Sequence, residues 1–109
     1  METRNATIRE ADIIIEDHGI LTEQIQFDYG GSVQGLGHYG GFEHDENGAL
    51  FGKFIRALLD TLEARSLSDL VGKPCRVRIG NDRLIDSVGH FTKEKWFCPK
   101  DICERKYHG

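Results

Sequence analysis

At 109 residues and 12.3 kDa the chain is one domain long, which excludes any reading that needs two globular units or an internal repeat. Hydrophobic residues at 39% and charged residues at 29%, with 13 Gly and 2 Pro, are too apolar for a disordered chain and predict a single folded domain over residues 1–109. No apolar run approaches the roughly 18 residues of a membrane span, and the polar start from Met1 to Glu10 lacks the pattern of a signal peptide, so the chain is expected in the cytoplasm.

The net charge of −4 is unevenly spread. Residues 1–62 carry 4 Lys/Arg against 11 Asp/Glu, whereas residues 63–109 carry 10 against 7. An acidic half repels a phosphate backbone and the basic half is dilute, so nucleic acid is disfavoured as a partner. Three cysteines, Cys75, Cys98 and Cys103, cannot all pair within the chain, and a reducing compartment argues against a disulfide scaffold.

In chain order, Ala6 to Tyr29 reads as a long hairpin. Leu21, Glu23, Ile25, Phe27 and Tyr29 alternate with polar residues at the period of two of a half-buried strand. In the first arm Ile8 is out of phase with Ala11, Ile13 and Ile15, which predicts either a bulge near Arg9 and Glu10 or burial on both faces. Asp17, His18 and Gly19 supply the turn. The glycine-rich run from Gly30 to Gly41 reads as an irregular third strand, and Glu43 to Gly48 as an acidic surface loop. Leu50, Phe51, Phe54, Ile55, Leu58, Leu59 and Leu62 then recur at helical spacing, the pattern of an amphipathic helix packed on a sheet.

Ser66 and Asp69 form a capping-box-like start to a short helical turn, ended by Gly72 and Pro74. Cys75, Val77 and Ile79 give a further strand and Arg83 to Phe91 its partner, joined by Asn81 and Asp82. The tail with Trp96, Phe97 and Ile102 is expected to pack over a sheet edge. The expected fold is therefore α+β: an antiparallel sheet of about five strands, in the order β-β-β-α-β-β, against one amphipathic helix.

Gly35, Gly37 and Gly40 match the string GxGxxG, but no strand–turn–helix context surrounds them, which argues against a dinucleotide fold. Clustered glycines instead admit either a ligand close to the backbone or the bulk of the Phe51 and Phe54 helix. Cys98, Cys103 and His108, with Cys75 or His90 as a fourth group, lack the tight pairs of a structural zinc knuckle, so neither metal nor cofactor is expected. His18, His44 and His108 have no spacing that ties them to Cys75 or Ser87, and the pairs Glu16/Asp17 and Asp45/Glu46 read as solvated turns. A non-catalytic protein is expected.

The segments Glu16-Asp17-His18-Gly19-Ile20-Leu21-Thr22, Asp28-Tyr29-Gly30-Gly31 and Gln34-Gly35-Leu36-Gly37-His38-Tyr39 resemble a group of small phage and prophage proteins with no assigned activity. Gly52-Lys53-Phe54-Ile55-Arg56, the stretch from Leu67 to Arg78, Gly89-His90-Phe91 and Lys95-Trp96-Phe97 extend the resemblance, in the same order, over most of the chain. Members of that group carry a longer stretch between the glycine strand and the helix than Gly41 to Gly48 here. The resemblance implies a phage or prophage origin and a compact α+β fold, and carries over no catalytic residue.

Two functions fit this reading. In the first, the chain is a binding protein that occludes a host machine, anti-CRISPR-like. Glu43, Asp45 and Glu46, with exposed Tyr39 and Phe42, would face a basic site on a host protein. In the second, it sequesters a nucleotide-like ligand between Gln34, Gly35, Gly37 and His38 on the glycine strand and Arg76 and Arg78 of an exposed arginine row that also includes Arg83. A homodimer is further expected, burying Tyr29, Leu36 and Tyr39 at the poorly packed edge of the glycine strand, the alternative being a monomer with that edge covered by the tail.

Overall fold

Strand β1 (Glu2–Ile15) organises the sheet, because its two halves pair with different neighbours. Its first half, Glu2 to Thr7, runs antiparallel to β4 (Pro74–Ile79), and its second half, Thr7 to Ile15, runs antiparallel to β2 (Leu21–Asp28). The register slips between Ile8 and Glu10, so Arg9 is an extra residue in the ladder. Of the two expectations for the Ile8 phase break, the bulge is the one that holds. By inserting one residue it returns Ala11, Ile13 and Ile15 to the face that Ala6 and Ile8 occupy.

The computed structural model describes residues 1–36 and 41–103, the last of these by its backbone alone. Strands β3 (Val33–Gly35), β5 (Ile85–His90) and β6 (Trp96–Phe97) complete a six-stranded antiparallel sheet in the order β3-β2-β1-β4-β5-β6. The α+β architecture is the expected one, and the sixth strand comes from the tail. That tail pairs with β5, at the edge opposite the glycine strand, so it does not cover β3.

Helix α1 (Ala49–Leu62) buries Phe51, Phe54, Leu58 and Leu62. These pack with Ile8, Ile25, Phe27, Val77, Val88 and Phe97 from one face of the sheet. The helix lies against β5, β6 and the short α3 (Lys100–Cys103), so the far end of the β1–β2 hairpin projects beyond it. At its C-terminus Glu63 takes the left-handed conformation (φ 55°) and the Ala64 N–H reaches back to Leu59 O at 2.9 Å, a Schellman-type stop. Helix α2 (Leu67–Leu70) starts as expected, with Ser66 Oγ accepting from the Asp69 N–H at 3.2 Å.

The outer face of the sheet is built around Trp96. Its indole lies opposite Gly89 in the β5–β6 pair and under the guanidinium of Arg78, 3.7 Å from the ring centroid, with Arg76 at 4.8 Å. A methyl group on Gly89 would meet the ring at 2.6 Å. Gly89→Ala must therefore push the indole off the arginines, at a cost of about 1–3 kcal/mol. Gly52→Ala, on the exposed side of α1 with open space around it, should instead stabilise by about 0.5–1 kcal/mol. Urea unfolding midpoints of the two variants should move in opposite directions from wild type, and the tryptophan emission of the Gly89 variant should shift before unfolding.

Candidate functional site

The acidic loop is partly a helix cap. Asp45 accepts the N–H groups of Leu50 at 2.7 Å and Phe51 at 2.8 Å, satisfying donors that the first turn of α1 leaves open. Phe42 is not exposed, contrary to expectation. It is 4% accessible and stands edge-to-face on Phe51 and Phe54, with ring centroids 5.1 and 5.2 Å away, because an aromatic beside the helix start gains more from the core than from water. Glu43 and Glu46 keep their carboxylates in solvent. Tyr39 lies outside the described residues.

The β1–β2 turn is held by a carboxylate that the sequence reading assigned no structural task. Glu16 accepts from the N–H groups of His18 and Ile20 and from His18 Nδ1 at 2.9 Å, while Gly19 supplies a positive φ of 80°. The His18 hydrogen bond lowers the Glu16 carboxyl below its usual value. The same bond and the charge of Glu16 raise the His18 imidazole, and the charge of Glu43 raises it further. The charge of Glu43, in the loop before α1, is thus felt at the hairpin turn.

The residues expected to hold a nucleotide-like ligand are not brought together. Gly35 is on the edge strand β3, whereas Arg76 and Arg78 are on β4, with β2 and β1 between them. Gln34 has its amide engaged. Its nitrogen donates to Tyr29 Oη at 2.6 Å and to Arg83 O at 2.7 Å, and its oxygen accepts from the Ile85 N–H at 3.3 Å, so the sheet curls enough for β3 to meet the start of β5. Arg76 is not part of an exposed row either. It donates to His90 O at 2.8 Å, Lys93 O at 2.7 Å and Glu94 at 3.2 Å. These contacts fix the β5–β6 turn. Gly37 and His38 lie outside the described residues.

Tyr29 and Leu36 are buried within the chain, so they cannot supply the expected dimer interface. Cys75 sits in the core, where burial pushes its thiol up to about 12, and His90 Nδ1 accepts the N–H groups of Thr92 and Lys93 at 3.1 Å each. Cys98 is half-buried near Asp86, His108 lies outside the described residues, and no metal-binding cluster occurs among the described ones. No helix among them is long and apolar enough to cross a membrane. Comparison with protein-family models, curated proteins and solved structures gave no match to this chain.

Two features escaped the sequence reading. Ile13, Ile15 and Leu21 are exposed, because the hairpin outruns the helix. Glu23, which shares the apolar face of β2, is 7% accessible, and desolvation raises its carboxyl to about 7. Its position among Leu21, Ile25 and Phe27 was the available signal. A carboxyl whose folded pKa lies above its unfolded one stabilises the fold below about pH 4.5 and loses that contribution as pH rises through about 7. Stability should fall over this window by on the order of 3 kcal/mol from this group, and Glu23→Gln should flatten the profile. Glu63 acts in a lower window. Its hydrogen bonds to Lys93 and Lys95 hold it at about 2, so its contribution is present above pH 4.5 and lost toward pH 2. Urea unfolding at stepped pH separates the two.

Proposed function

We propose that the chain is a non-catalytic phage or prophage protein that binds a protein of the host cytoplasm and blocks a host machine, in the first instance a defence system of the CRISPR–Cas kind. The observation that carries this reading is the set of exposed carboxylates Asp17, Glu43 and Glu46, with Glu43 close enough for its charge to act on His18 at the hairpin turn. Such a surface complements the basic nucleic-acid-binding site of a host protein, where opposite potentials speed encounter and set orientation. Asp45 and Phe42 act behind this surface, as helix cap and core residue.

The variant Glu43→Lys/Glu46→Lys changes two exposed charges and leaves the cap intact, so it should unfold like wild type. Wild-type chain expressed in cells carrying a CRISPR–Cas system should restore plaque formation by a targeted phage. The variant should bind its partner roughly tenfold more weakly, as expected for two rim charges reversed at about 0.7 kcal/mol each. Unchanged plating against this and other defence systems would remove the inhibitory reading.

A further inference from the structure

Strand β4 stops halfway along β1. The Ile8 N–H donates to Lys73 O at 3.1 Å and Ile8 O accepts from the Gly72 N–H at 2.7 Å, and at Gly72 (φ 84°) the chain turns back into α2. Beyond Ile8 no strand among the described residues pairs with that edge of β1, although α2 packs against β1, with Leu70 in the core and Leu67 packed against it. The Glu16 N–H points to Ile20 O across the hairpin, so alternation turns the backbone groups of Ile14, Asp12 and Glu10 toward β2 and those of Ile15, Ile13 and Ala11 outward. In keeping with this, the Ile13 N–H takes Asp12 Oδ1 of its own strand, at 3.1 Å. Beside this edge Ile15 is 66% exposed and Ile13 41%, with Leu21 opposite Ile15 on the same face.

We propose that the edge from Ala11 to Ile15, beyond the end of β4, takes an extended, lysine- or arginine-bearing segment of a partner protein as an added strand. This rests on the protein-binding reading above and names the partner's chemistry. Outward N–H and C=O groups supply the ladder, the Ile13 N–H exchanging the Asp12 carboxylate for a carbonyl of the added strand, and Ile13 and Ile15 supply apolar contact for alternate side chains. Charge selects the occupant. Glu10 and Asp12 flank the edge, whereas Arg9 is drawn off to Asp28 at 3.6 Å. A second copy paired about Ile13 would set Glu10 opposite Glu16, about Asp12 it would set Asp12 opposite itself, and about Ala11 it would set Glu10 opposite Asp12. Like charges directly opposite destabilise a ladder, whereas a basic strand meets the same carboxylates favourably. A strand this short buries far less than the roughly 1,600 Å² of a standard interface, so the edge acts together with the exposed carboxylates Glu43 and Glu46.

The test is amide exchange and ¹H–¹⁵N chemical shifts of the full chain, titrated with a short capped peptide of alternating lysine and valine and with its glutamate–valine counterpart. The basic peptide should slow exchange at Ala11, Ile13 and Ile15 by about tenfold, less so in high salt. Ile13→Pro, which removes an outward N–H, should abolish this, and Ile13→Lys/Ile15→Lys serves if the proline variant does not fold. Equal protection by the acidic peptide, or none by the basic one, overturns the proposal. Protection of the same amides that grows with concentration in the peptide-free protein assigns the edge to a second copy and also overturns it. Shifts confined to Glu43 and Glu46 would sink the edge and leave the acidic surface standing. Edge protection without any effect on phage plating would sink the inhibitory function and leave the edge.

Discussion

The extra residue at Arg9 is the constraint on which the sheet depends. A strand as long as β1 has to serve two partners, and without the bulge its second half would carry Ala11, Ile13 and Ile15 on the face away from the helix. With it, Ala6 and Ile8 pack beside β4 while Ala11 packs beside Ile25 of β2, and one continuous apolar face runs across the sheet. The hairpin then extends past the helix, which makes Ile13 and Ile15 surface residues of the apolar face rather than core ones. One inserted residue thus sets the register, the core and the free edge.

The opposite face is held by stacking and by charge-assisted hydrogen bonds. Trp96 fits over Gly89 because no side chain stands there, and the arginines of β4 cover the indole from the other side. Arg76 spends its donors on the carbonyls of His90 and Lys93, which ties the short β6 to the sheet. Glu63 does the same from the helix side, accepting Lys93 at 2.7 Å and Lys95 at 3.3 Å. Lys93 and Lys95 thus act as struts between the end of α1 and the β5–β6 turn, and Arg76 and Arg78 stack on Trp96.

Polar residues recur as struts elsewhere. Gln34 spans from the edge strand to the start of β5, Asp45 closes the helix start, and Glu16 closes the hairpin turn. Each is a side chain whose type fits a ligand contact as well as a structural one, and partner geometry alone separates the two. Among the described residues, Asp17, Glu43, Glu46 and Glu10 keep exposed carboxylates, and Asp12 touches only the Ile13 N–H of its own strand.

The sequence by itself determined the main secondary elements but not β6 or α3, because alternation in Leu21 to Tyr29 and Cys75 to Ile79 and the helical spacing from Leu50 to Leu62 are local signals of what each segment must bury. It also marked the turn at Gly19, the start of α2 at Ser66 and the α+β class, and offered a bulge near Arg9 as one of two readings of a phase break that the pairing of β1 with β2 decides. It did not decide strand order, the pairing of the tail with β5, or which polar groups face one another, since these depend on contacts between residues far apart in the chain. Phe42 looked exposed because its neighbours are acidic, and only the approach of α1 made it core. Tyr29 and Leu36 looked available because glycines surround them, and only the curl that brings Gln34 to Ile85 encloses them. The free edge of β1 was invisible for the same reason: a strand's edge is open or closed according to where its neighbour ends, and β4 ends at a turn whose place beside Ile8 exists only in the folded chain.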